Sequence, residues 1–171
     1  MEPTSTEKAI SLIPESDIIF IWPNKNQLTV YTGGAFHADT TYMITIDSTA
    51  KDLDGIELGN PYSFSFSTAS VGLSTTYPNN GELFVSTSSN IRLTFNTYMV
   101  KSSVQNVIKI SPDVSGTLNW YNNSKTVMEF NPSQSLKYNT KYTVTIGTET
   151  RDIFGSNIKE PYTFSFITRP D

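Results

Sequence analysis

The sequence has no cysteine, a single histidine at His37 and only five alanines in 171 residues. Without cysteine there is no disulfide, thiolate metal site or thiol nucleophile. One histidine leaves almost no room for imidazole metal clusters or for Ser-His-Asp machinery repeated along the chain. Long apolar runs are missing too: no stretch approaches the roughly 20 residues that a membrane-spanning helix needs, and the polar start Met1-Glu-Pro-Thr-Ser-Thr-Glu-Lys is not a signal peptide. Basic excess is also lacking. Sixteen acids against twelve bases give a net charge of -4 and a pI of about 5.0, which argues against a nucleic-acid footprint or a polybasic anchor. In place of these stand 44 serines and threonines and an aromatic content of 12%, a balance that favours strands over helices.

The chain repeats itself. Thr40-Thr-Tyr-Met-Ile-Thr-Ile matches Thr140-Lys-Tyr-Thr-Val-Thr-Ile, Lys51-Asp-Leu-Asp-Gly matches Arg151-Asp-Ile-Phe-Gly, and Pro61-Tyr-Ser-Phe-Ser-Phe-Ser-Thr matches Pro161-Tyr-Thr-Phe-Ser-Phe-Ile-Thr. All three pairs share an offset of 100, with 12 identities in the 29 ungapped positions from Thr40 to Thr68. Upstream the offset is 98, pairing Pro14 with Pro112, Trp22 with Trp120 and Met1 with Met99. The change of two residues falls in an Asn- and Lys-rich stretch between Trp22 and Leu28, where a hairpin loop tolerates it. The division expected is 1–70 and 71–171. The first copy has no counterpart of residues 71–98, which include Gly81-Glu-Leu-Phe-Val and the alternating Asn90-Ile-Arg-Leu-Thr-Phe. The chain therefore reads as starting inside a domain, with an open sheet edge that self-association, a swapped strand or a neighbouring repeat would cover.

In the second copy strands are predicted at 73–77, 83–86, 91–96, 106–111, 116–121, 126–131, 140–147 and 161–168, separated by turn residues such as Pro78-Asn-Asn-Gly and Asn131-Pro-Ser. Tyr142, Val144 and Ile146 alternate with Thr143 and Thr145, and Tyr162, Phe164 and Phe166 alternate with Thr163 and Ser165. Each strand thus offers one apolar face, so seven or eight of them in about 100 residues require two packed sheets. The fold expected is all-β: an immunoglobulin-like antiparallel β-sandwich in two tandem copies. Leu136-Lys-Tyr-Asn-Thr-Lys-Tyr142 and Phe36-His-Ala-Asp-Thr-Thr-Tyr42 have the spacing of a tyrosine corner. Trp22 and Trp120 are placed on the strand crossing the core centre, where an indole buries a large area.

The stretch Met99-Val-Lys-Ser-Ser-Val-Gln-Asn-Val-Ile-Lys-Ile-Ser-Pro, the following Trp120, the Asn131-Pro, Leu136 and Tyr142 positions, the Asp152-Ile-Phe-Gly turn and the closing Tyr162-Thr-Phe-Ser-Phe-Ile-Thr together resemble a bacterial Ig-like domain of the S-layer-protein type. The resemblance covers the second copy and, from Met1 onward, the first. It implies tandem spacers in an exported surface protein, hence an extracellular or cell-surface location as part of a longer precursor, and neighbouring repeats as partners. It carries over no catalytic residue.

Candidate chemistry is sparse. Asp52, Asp54 and Glu57 have the look of a calcium loop, but the matching residues of the second copy are Asp152, Phe154 and Asn157. What persists is Asp at the first and Gly at the fourth position, the pattern of an Asx-capped type I turn. No cofactor is assigned, with calcium left open as the lesser reading of this loop and where acids of two copies meet. His37 corresponds to Lys137 and reads as an exposed loop residue. The scattered acids give no glycosidase pair, so an enzyme is not expected. Asn122-Asn-Ser is formally a glycosylation sequon, of little weight in a bacterial chain. Tyr98, Tyr121 and Tyr138, with Tyr31 and Phe36 in the first copy, are candidates for an aromatic platform that touches cell wall, glycan or protein. Tyr121 is singled out as ligand-binding because it should point outward if Trp120 points inward. The functional expectation is a structural spacer, with an adhesive module as the alternative. The junction Thr68-Ala-Ser-Val-Gly-Leu, short and free of charge runs, is expected to be moderately stiff.

Overall fold

The computed structural model describes residues 1–34 and 36–171. The chain divides into two compact units, Met1–Ala69 and Ser70–Asp171. In the first unit, helix α1 (Pro3–Ala9) leads into strands β1 (Ile10–Ile13), β2 (Ile18–Asn24), β3 (Gln27–Thr32), β4 (Thr41–Ile46) and β5 (Tyr62–Ser67). The second unit begins with two strands that have no equivalent in the first, β6 (Leu73–Tyr77) and β7 (Ile91–Phe95). It continues with α2 (Lys101–Gln105), β8 (Ile108–Ser111), β9 (Gly116–Trp120), β10 (Val127–Pro132), β11 (Lys141–Ile146) and β12 (Tyr162–Ile167).

The second unit is an antiparallel sandwich of two sheets, in the orders β6-β7-β10-β9 and β12-β11-β8. The alternation seen in the sequence aims one side of every strand inward. Ile91, Leu93 and Phe95 of β7 and Met128 and Phe130 of β10 are buried on one inner face; Tyr142, Val144 and Ile146 of β11 and Phe164 and Phe166 of β12 are buried on the other. Register places Tyr142 opposite Phe166, their rings stacked with centroids 5.6 Å apart, and Val144 opposite Phe164. Each such side chain contributes about 1.5–3 kcal/mol by leaving water. The first unit repeats the scheme with fewer strands. Its sheets are β1-β4-β5 and β2-β3, and Leu12 and Tyr42 are buried between them.

Two local devices fix both copies. The Tyr42 hydroxyl accepts from the His37 N–H at 3.1 Å and the Tyr142 hydroxyl from the Lys137 N–H at 3.0 Å, so the tyrosine corner is formed twice. After β4 and β11 the chain reverses through the Asp-Gly turn. Asp52 Oδ1 accepts from the Asp54 and Ile56 N–H groups, and Asp152 Oδ1 from those of Phe154 and Ser156, all within 2.8–2.9 Å. Gly55 and Gly155, at φ of +83° and +91°, close the turn in a region that side chains avoid.

Two expectations are corrected. No strand forms at 83–86: Phe84 sits at φ 61° with its side chain exposed, and only Val85 makes a parallel bridge, to Thr168. The segments before β1 and β8 form short helices, α1 and α2. The Glu2 carboxylate caps α1 by accepting from the Thr4 and Ser5 N–H groups at 3.0 and 2.6 Å, with Pro3 suited to its first turn. At matched positions the Ser5 and Ser103 hydroxyls accept from the Lys51 and Arg151 N–H groups, both at 3.1 Å. Finally, neither tryptophan occupies the core centre. Trp120 is half-buried at the end of β9, an edge strand, and Trp22 is half-buried on β2, its indole N–H donating to Glu7 Oε1 at 2.8 Å.

Candidate functional site

Just past Trp120 the chain leaves the sheet through a 3-10 turn, Tyr121–Asn123, in which Asn122 and Asn123 adopt φ of 46° and 57°. Two successive left-handed residues other than glycine are uncommon, though asparagine tolerates the conformation best. The turn carries Asn123 to the mouth of an open groove of about 480 Å³. Trp120, Met99 and Ile153 supply its apolar lining, Asn119 and Asn123 amides, and Lys101 and Lys125 two ammonium groups. Lys125 Nζ also lies 5.9 Å from the ring centroid of Tyr98, whose side chain is exposed. No carboxylate lines this groove, so among the described residues it holds no acid-base pair. What the arrangement offers is an aromatic surface with hydrogen-bond donors and positive charge, suited to holding a polar, anionic ligand.

The expected ligand residue Tyr121 sits beside this groove in sequence but does not line it. It belongs to the 3-10 turn, so the strand alternation that was to aim it outward does not apply, although its side chain is 39% exposed. One ring face is occupied by the Arg92 guanidinium, 4.0 Å from the centroid. Arg92 in turn pairs with Glu129 at 2.7 Å across β7 and β10, and Asn90 Nδ2 donates to the other Glu129 oxygen at 3.1 Å. The hydrogen-bonded carboxylate raises the pKa of Arg92, keeping it charged.

The remaining aromatic candidates are dispersed. Tyr138 is exposed with Arg169 5.9 Å from its centroid, and Tyr31 is exposed on β3. Phe36 packs inward against Tyr42 and Phe66, with centroids 4.5 and 5.2 Å away. Of the calcium-like acids, Asp52 is engaged by its turn and Glu57 lies 3.7 Å from Lys51. No group of three or more metal-ligating side chains forms among the described residues. His37 is exposed, and its backbone serves the tyrosine corner. Sequence reasoning missed Trp120, Lys101 and Lys125 as one lining. The available signal was the turn-forming pair Asn122-Asn123 two positions after the tryptophan, which marks a strand end rather than a core centre.

An antiparallel sandwich closed by a tyrosine corner defines an immunoglobulin-like domain, here present twice. The chain belongs to the bacterial Ig-like domain family, whose model matches residues 1–68 and again 70–168. No curated protein sequence matches it. Among solved structures it is similar to the L,D-transpeptidase LdtMt1 in complex with imipenem (21% identity, 57% of this chain and 39% of that one, TM-score 0.43). It is also similar to an L,D-transpeptidase from Mycobacterium smegmatis (18% identity, 58% and 40%, TM-score 0.43). A third is PcoC, a methionine-rich copper resistance protein from Escherichia coli (15% identity, 59% and 100%, TM-score 0.46). The match spans about two fifths of each of the two transpeptidase chains. No helix of the described residues is long and apolar enough to cross a membrane.

Proposed function

We propose that the chain is a non-catalytic spacer module of a larger exported cell-surface protein of the S-layer type. The observation that carries this reading is the repetition of one Ig-like scheme in consecutive units, with the same corner and turn in each. The mechanism is mechanical: each repeat resists unfolding through its own antiparallel ladders and core, so repeats in series set a distance without doing chemistry. A second reading, adhesion to cell-wall polysaccharide, glycan or protein, is favoured by the groove at Trp120 with Lys101 and Lys125. Co-sedimentation with purified bacterial cell wall and with insoluble polysaccharides separates the two. A spacer stays in the supernatant. Saturable pelleting that Trp120→Ala or Tyr121→Ala weakens would replace the spacer reading with the adhesive one.

A further inference from the structure

Trp22 and Trp120 stand at matched positions of the two copies, but their surroundings differ in charge. In the first unit the Trp22 indole N–H donates to Glu7 Oε1 at 2.8 Å. The residue matching Glu7 is Gln105, whose Nε2 donates instead to Leu118 O at 3.3 Å. Among the described residues no side chain or carbonyl accepts from the Trp120 indole N–H, which stays open as a donor. Lys101 stands where the first unit has Pro3, and Asn119 where it has Ile21. Extra residues between Trp120 and Lys125 build the left-handed turn that brings Asn123 to the groove. The differences all run one way: a carboxylate leaves the tryptophan, while an ammonium group and amides arrive. Neither Lys101 nor Lys125 forms an ion pair among the described residues, in a chain whose net charge is -4. The sandwich itself does not require these changes, because the tyrosine corner and the Asp-Gly turn form alike in both copies.

We infer that the groove at Trp120 takes an acidic polysaccharide whose sugar rings carry carboxylates, a uronate chain. The inference rests on the adhesive reading of this groove and adds the class of ligand to it. An indole face offers area to the C–H side of a sugar ring, and its free N–H donates to a hydroxyl or carboxylate. Asn119 and Asn123 supply amides, each both donor and acceptor, which match the paired hydroxyls of a sugar. Lys101 and Lys125 supply the positive charge that a carboxylate neutralises with charge-assisted hydrogen bonds. A groove of about 480 Å³ that is open at the surface lets a chain run through it. A neutral glycan leaves both ammonium groups without a partner. A polyol phosphate or an acidic peptide answers the charge but brings no sugar ring to Trp120. A uronate carries ring and charge together.

The test titrates the isotope-labelled full chain with trigalacturonate and follows the two indole N–H signals by NMR. Trp120 should shift saturably at ligand concentrations up to about 10 mM, with Trp22 unmoved as the internal control. The fully methyl-esterified trisaccharide, which keeps the rings and loses the charge, should bind about 10-fold more weakly or worse. Lys101→Gln and Lys125→Gln, both at exposed positions, should each raise Kd about 3- to 5-fold. Affinity should also fall between about 0.01 and 1 M salt, as the Debye length shortens from about 30 to about 3 Å. Equal binding of the acid and its ester overturns the uronate while leaving the adhesive reading standing. Equal or tighter binding of oligo-glycerol phosphate or oligoglutamate at Trp120 overturns it in favour of a ligand selected by charge alone. No shift with any of these ligands, or equal shifts at both indoles, overturns the inference and removes the groove from the adhesive reading as well.

Discussion

Truncating matched phenylalanines in the two repeats should cost very different amounts. Phe164 is 1% exposed, so Phe164→Ala removes the transfer free energy of the ring and leaves a cavity, together about 3–5 kcal/mol. Phe64 occupies the same position on β5 but is 45% exposed. With roughly half of the 1.5–3 kcal/mol for a buried phenylalanine at stake, and with no closed cavity because water already reaches the site, Phe64→Ala should cost about 1 kcal/mol. Each unit holds one tryptophan, Trp22 in the first and Trp120 in the second. Urea unfolding followed by fluorescence, in Trp120→Phe and Trp22→Phe backgrounds respectively, therefore reads the two transitions separately. Equal losses of 3 kcal/mol or more at both sites would refute the reasoning, because they would mean that the Phe64 face is covered in solution.

Further outcomes follow from the local devices. Tyr142→Phe leaves the Lys137 N–H without its acceptor and should destabilise the second unit by about 1–2 kcal/mol in the same urea assay, and Tyr42→Phe should do likewise in the first. Asp152 is fully buried and accepts two turn N–H groups, whereas Asp52 makes the same bonds half-buried. Asp152→Ala should thus cost about 2–4 kcal/mol and Asp52→Ala about 1 kcal/mol, a gap that equal urea midpoint shifts would deny. Backbone N–H groups of Ser5 and Thr4 hold the Glu2 carboxyl below its usual pKa, and that of Thr49 does the same for Asp47. A folded pKa below the unfolded one stabilises above about pH 4 and is lost as pH falls through the lowered value. Acid titration by NMR should show α1 loosening in that window, and Glu2→Gln should remove this dependence at the helix.

What the sequence made legible was local. The alternation in β7, β11 and β12, the corner around Tyr142 and the turn at Asp152 each depend on residues a few positions apart, and each formed in the structure. What it hid depends on distant partners. Helices α1 and α2 are short and polar, and Ser5 and Ser103 tie them to backbone 46 and 48 residues away, a bond that no propensity records. The apolar Leu83-Phe84-Val85 run reads as a strand, but the left-handed backbone at Phe84 breaks it. Trp120 was misplaced because strand order, not strand content, puts β9 at an edge. The groove shared by Trp120, Lys101 and Lys125 was illegible for the same reason, since its lining comes from four separate stretches between Met99 and Ile153.

The central claim is that two copies of one Ig-like scheme differ in how far their cores are closed. Residue-resolved hydrogen exchange on the chain at monomeric dilution tests it directly. The account predicts amides in β7, β10 and β11 exchanging only through global unfolding of the second unit, while Val30 on β3 and Ser67 on β5 exchange orders of magnitude faster. Uniform protection of both units in the monomer would contradict it.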